Sequence, residues 1–165
     1  MIKKVKIPIK SENKVDLQLG DQIKIYGKIY TGRDAALPKL VDSLKNGKNL
    51  FDLTGSAIMH TAVSNAGISP TTSNKVEIEG NMAFLSEYGV KMHIGKGSLK
   101  KETVEALSKN DSIFVVTPPV AALLTSKVTS RKVVAFQEEG IEAIFELKVD
   151  GIPGIVSVAQ GETLR

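Results

Sequence analysis

Three cations stand apart in this sequence, each beside glycine, proline or hydroxyl residues: Arg33 in TGRDAA, Lys75 in ISPTTSNK and Lys96 in IGKG. Arg33 falls where a β-forming run meets a helical pattern, a place from which a guanidinium can aim a two-pronged donor pair at a carboxylate or phosphate. It reads equally well as a solvated side chain beside a capping Asp34. In ISPTTSNK, Pro70 fixes one backbone dihedral, and the hydroxyls of Thr71, Thr72 and Ser73 can either donate to an anion or be spent on a local turn. Gly95 and Gly97 flank Lys96 and let the backbone approach a ligand, although the GxxxxGK[ST] pattern of a phosphate loop is absent. No Ser-His-Asp order accompanies these residues, and no acid-base carboxylate is evident. The set suits gripping a small polyanion, not completing a hydrolytic triad.

The remaining candidates are blander. His60 in MHTAV and His93 in KMHIG lie in apolar, strand-like settings with no second ligand at metal spacing, so both read as structural. TPPVAALLTSKV, with its double proline, reads as packing.

Something must position these groups. Ile23, Ile25 and Ile29 alternate with Gln22, Lys24, Tyr26, Lys28 and Tyr30, which predicts a half-buried strand after a turn at Gly20-Asp21. KKVKIPI predicts an edge strand, because Pro8 withholds a donor. Leu37, Leu40, Val41 and Leu44 form one helical stripe, with Asp34 as N-cap and Gly47 as stop. NMAFLSEYG predicts a short helix capped by Asn81, and SLKKETVEALSKN a second amphipathic helix. VKMHIG and SIFVVTP read as strands, PPVAALLTSKV as a proline-initiated helix, and the tail from Lys132 as two or three strands. Helices and strands alternate in the middle with strands at both ends, which predicts one layered α/β domain over residues 1–165 with a mixed sheet.

Totals narrow the function. The chain has 165 residues, enough for one domain with a sizeable core. It has no cysteine, which excludes disulfides and thiolate-held metal within the chain. Its 22 basic and 18 acidic residues are spread along the chain without a basic stripe or aromatic platform, which argues against nucleic acid. The N-terminus carries no apolar run of signal-peptide length and no window approaches a membrane span, so the cytoplasm is the expected location.

Taken in order, LGDQIKIYGKIYTGRDAA, SPTTSNK, GVKMHIGKG, AALLTSKV and EEGIEAIFELKVDGIPGIV resemble the β subunit of class I, iron–sulfur-dependent fumarate hydratases. They are equally similar to the β subunit of L(+)-tartrate dehydratase and to the C-terminal domain of single-chain members. The resemblance runs from about Val15 to about Val156. It implies a swivelling β/β/α domain and the reversible hydration of a dicarboxylate double bond, fumarate to malate first and tartrate second. It also implies a [4Fe–4S] cluster held by a cysteine-bearing α subunit, with this chain inactive alone. By the same resemblance Arg33 binds a substrate carboxylate, Thr71 takes the carbon-bound proton, Thr72 hydrogen-bonds substrate, and Lys75 and Lys96 add charge, Lys96 also favouring an alkoxide. This sequence departs from the family pattern at three places: Ser69 precedes the proline where glycine is usual, Lys75 replaces an arginine, and Leu37 replaces a histidine. A non-catalytic anion-binding module stays open beside the enzyme, as does a homo-oligomer of the isolated chain.

Overall fold

The computed structural model of the chain describes residues 1–71 and 76–164. Strand β1 (Lys3–Ile7) is followed by β2 (Gln22–Thr31), then by α1 (Leu37–Lys45) and β3 (Ala57–Met59). A small hairpin, β4 (Val63–Ser64) with β5 (Gly67–Ile68), leads to α2 (Val76–Glu87) and β6 (Met92–Gly95). Then come α3 (Lys101–Lys109), β7 (Ile113–Val116), α4 (Ala121–Ser126), β8 (Val128–Ala135), β9 (Ile144–Ala159) and β10 (Glu162–Thr163). The chain is a mixed α/β protein, as its alternating pattern predicts. No helix among the described residues is long and apolar enough to cross a membrane.

Strand order is β1-β2-β3-β6-β7-β9-β10, with β8 also on β9. β1, β2, β3, β6 and β7 pair in parallel, while β9 runs antiparallel to both β7 and β2. The 16-residue β9 does both jobs: residues 146–155 lie along β2 and residues 155–158 along β7, so the sheet curls back on itself. Gly151 interrupts the register where Ile25 pairs Ile152 and Tyr26 pairs Asp150, and its φ of 89° supplies the bend. The tail, expected to form two or three strands, gives β8, β9 and the short β10, and DGIPG is a kink inside β9.

Side-chain alternation divides the core. Ile23, Ile25, Ile29, Ala57, Met59, Met92, Ile94 and Val115 fill the inside of the curl. Tyr30, Ile58 and Ile144 face the other way, onto Leu37, Leu40, Val41 and Leu44 of α1 and Leu85 of α2. The outward face of β2 is therefore not wholly solvated: Tyr30 is buried against Phe51, with ring centroids 4.3 Å apart. Burial first, and the Glu146 charge second, push its phenol up to about 12, so it stays protonated at neutral pH.

Two capping expectations are corrected. α1 begins at Leu37 with Ala36 as N-cap and Pro38 in its first turn, so Asp34 lies in the preceding turn. α2 begins at Val76, which puts Asn81 in its interior. Both misplacements come from treating a good capping residue as a boundary when tertiary packing extends or delays the helix. The stripe of α1 and the edge position of β1 agree with expectation.

The close approach of β1 and β2 constrains one residue sharply. Gly27 has φ of 102°, and a Cβ built there would overlap the Ile7 carbonyl oxygen. Gly27→Ala is expected to lower unfolding stability by about 2–4 kcal/mol, from left-handed strain plus displacement of β1. Urea denaturation checks this, and an unchanged midpoint would contradict the packing of β1 on β2.

Candidate functional site

Parallel pairing brings strand ends together. Thr31 of β2 is level with Met59 of β3, Met59 with Ile94 of β6, and Ile94 with Val115 of β7. The ladder continues one step beyond the strands: Gly32 N–H donates to the Met59 carbonyl at 3.0 Å and His60 N–H to the Ile94 carbonyl at 2.8 Å. Arg33 follows β2 after Gly32 and Lys96 follows β6 directly, with β3 between the two strands. Two strand spacings separate their backbones, about 10 Å. The carboxyl ends of parallel strands are where α/β sheets most often bind ligands, because the loops there are free of the ladder.

Thr71 joins the same end. Its hydroxyl donates to the Gly95 carbonyl at 3.2 Å, one peptide away from Lys96, and the residue is buried. Thr61, just past β3, braces the segment by donating to the Ser69 carbonyl at 2.6 Å. Lys96 itself is exposed. Thr72 and Lys75 lie outside the described residues.

Arg33 is not the freely solvated side chain that its sequence context allows. Its Nε stands 3.1 Å from Glu142 Oε1, and its Nη2 donates to Oε2 at 3.3 Å. Glu142 also accepts the Ala35 N–H at 3.3 Å. Hydrogen bonding from Arg33, with help from Ala35, holds the Glu142 carboxyl below the usual carboxylate range against the opposing effect of burial. Sequence reading does not single out Glu142; the signal available is the EEGIEA run, which enters only within the tail and the last of the motifs that carry the resemblance. Leu37, the substitute for the family's histidine, is buried against Gly32 and Ile144, so it fills core.

Beneath this end, His60 and His93 are fully buried with ring centroids 6.0 Å apart. His93 is level with Ile58 and Phe114 on the helix-facing side, and its Nε2 lies 2.9 Å from Ser86 Oγ. Ser86 spends its proton on the Met82 carbonyl at 2.8 Å, which assigns the ring proton of His93 to Nε2. Burial lowers the His60 pKa to about 4; burial, and then the neighbouring His60, lower that of His93 well below the ordinary value. Both rings are therefore neutral at physiological pH and add no positive charge to the site. This agrees with the structural role expected of them. No group of three or more His, Cys, Asp or Glu placed to hold a metal occurs among the described residues, and the sequence has no cysteine.

The curled, mixed sheet of this α/β domain carries a buried threonine, an arginine and a lysine at one set of strand ends. The Fumarase C-terminus family model matches residues 2–164, and the chain belongs to that family. A Methanocaldococcus jannaschii protein provisionally named L(+)-tartrate dehydratase subunit beta is 34% identical over 156 residues, covering 85% of this chain and 78% of its own. The L(+)-tartrate dehydratase subunit beta of Shigella boydii is 31% identical over 164 residues, with coverages of 94% and 75%. A Geobacillus stearothermophilus protein provisionally named fumarate hydratase class I is 29% identical over 174 residues; the match takes in 96% of this chain and 32% of that longer one.

The buried imidazoles give a pH expectation. Their folded pKa values are depressed, so between about pH 6.5 and 4 the unfolded chain binds protons that the folded chain refuses. Stability is full above pH 6.5 and falls as pH drops through that window, by roughly 3 kcal/mol for His60 alone. Denaturant melts at stepped pH check this; a flat stability between pH 6.5 and 4.5 would contradict the burial of neutral rings.

Proposed function

We propose that this chain is the β subunit of a hydro-lyase that adds water to, and removes it from, a small dicarboxylate. The observation that carries the reading is the convergence of Arg33, Lys96 and Thr71 on one line of strand ends, in a chain of this family. Fumarate and malate form one substrate pair. L(+)-tartrate is the second reading, favoured by the names of the two relatives that match over most of their own length. The closed sheet with its helix layer is, on this proposal, a swivelling β/β/α domain.

Each side chain has work suited to its chemistry. Arg33 presents a planar donor pair to one carboxylate of the substrate, and Lys96 presents a point charge beside it. Two fixed cations orient a two-headed acid and hold it against one face, which raises the effective concentration of the reacting group. Thr71 Oγ1 takes the proton from the carbon. To do so it must first stand as an alkoxide, its own proton given up to solvent; a neighbouring cation favours that form, Lys96 is one peptide beyond its hydrogen-bond partner, and the charge is quenched when the carbon-bound proton arrives. The reverse step returns that proton from the same oxygen. Thr72 and Lys75, which follow Thr71 in the sequence, complete the polyanion grip.

The leaving hydroxyl is not served by this chain. With no cysteine, and no metal-holding group among its described residues, it does not fit a [4Fe–4S] cluster. We assign the cluster to a cysteine-bearing α subunit, and activity to the assembled complex.

Anaerobic co-expression with the partner subunit, followed by assays on malate and on L-tartrate, tests the reading. Arg33→Ala is expected to cost about 2–5 kcal/mol of transition-state stabilisation, measured from kcat/KM. Near-normal kinetics would remove Arg33 from the site. Thr71→Ala should cut turnover by about a hundredfold or more, and far more than Thr72→Ala. Equal and small losses at both positions would remove the proton-transfer role from Thr71.

A further inference from the structure

We propose that Glu142 is the positioning residue for Arg33, holding the guanidinium side-on so that its opposite edge is presented to a substrate carboxylate. This rests on the carboxylate-gripping role given to Arg33 above. Glu142 closes the short 3-10 segment Gln137–Glu142 ahead of β9, 109 residues from Arg33 in sequence. Its two oxygens meet Nε at 3.1 Å and Nη2 at 3.3 Å, which is the side-on arrangement of an arginine–carboxylate pair. A guanidinium has a second usable edge, formed by Nη1 and Nη2, and the side-on pair turns that edge away from Glu142. The Ala35 N–H on the same carboxylate ties the backbone of the loop to the side chain it carries.

Several consequences follow from this geometry. An arginine anchored at Nε has given up most of its rotamer freedom before a ligand arrives, so less is lost when a second carboxylate docks. The pair is partly sheltered, with side-chain exposures of 27% and 25%, so it is screened less than a surface pair. Pairing also neutralises Arg33 formally, so its part in binding is orientation. The acidic segment carries its own control. Lys39 of α1 binds Glu139 at 2.7 Å and Glu138 at 3.4 Å, a second tie between the same two stretches of chain that does not touch Arg33.

The test uses the complex with its partner subunit, with malate and L-tartrate as substrates, and compares Glu142→Ala, Glu142→Gln and Lys39→Ala. Glu142→Ala is expected to raise KM about tenfold with a smaller change in kcat. Glu142→Gln keeps one acceptor, enough for Arg33 Nε and the Ala35 N–H, but sets an NH2 donor against Nη2, and should recover part of that loss. Lys39→Ala should leave KM within about twofold although it cuts the other tie. In an Arg33→Lys background, Glu142→Ala should add less than about twofold, because the fork it orients is gone. An unchanged KM in Glu142→Ala overturns the inference. So does a lowered KM, which would make Glu142 a competitor of substrate, or an equal rise in Lys39→Ala, which would make the effect structural. A wild-type complex inactive on both acids removes the hydro-lyase reading and this inference with it; an active wild type with indifferent Glu142 variants removes this inference alone.

Discussion

Two backbone hydrogen bonds, Gly32 N–H to the Met59 carbonyl and His60 N–H to the Ile94 carbonyl, extend the parallel ladder one residue past β2 and β3. They matter because parallel strands all point the same way, so an in-register ladder ends every strand on one line. What leaves that line is loop, and here the loops begin with Gly32-Arg33 and with Lys96-Gly97. A register slip of one residue on either strand would turn the interior aliphatic row to the helix side and carry the cations out of reach of each other. The aliphatic interior of the curl and the position of the two cations are thus one constraint seen from two ends.

Electrostatics then decides what each polar group contributes. Among the described residues, four groups capable of carrying positive charge lie at or just beneath this end, but the imidazoles of His60 and His93 are buried and stay neutral. Their neutrality spares the core an uncompensated charge. Arg33 keeps its charge and pairs with Glu142, while Lys96 reaches solvent at the rim. Among the described residues this leaves one oriented cation and one exposed cation, with the Thr71 hydroxyl pinned by the carbonyl just before Lys96. That division of labour fits a ligand with two negative ends better than a single phosphate, which a lone glycine loop or helix N-terminus can hold.

Much of the fold is legible in the amino-acid order, and the reasons are local. The Ile23–Ile25–Ile29 alternation and the Leu37–Leu40–Val41–Leu44 stripe are decided by period, and both emerge as expected. Boundaries fare worse: Asp34 and Asn81 are good capping residues that the chain does not use as caps, since packing of α1 and α2 sets where those helices start. The sixteen-residue β9 was hidden because Gly151, Pro153 and Gly154 imitate a turn, whereas here Gly151 makes a bulge. At the site, Arg33, Thr71 and Lys96 announce themselves by residue type beside glycine and proline. Glu142 does not, because its meaning is a contact across 109 residues that no local window contains. The same holds for Tyr30, whose position on the polar face of β2 gives no hint that Phe51 will cover it.

The most direct measurement is a crystal structure of the assembled complex with a non-reacting dicarboxylate bound. The account predicts one carboxylate on the Nη1–Nη2 edge of Arg33, Lys96 Nζ within ion-pair distance of the ligand, and Thr71 Oγ1 facing its central carbons. A ligand seated elsewhere on this chain, with Arg33 still closed on Glu142 and Lys96 turned to solvent, would contradict it.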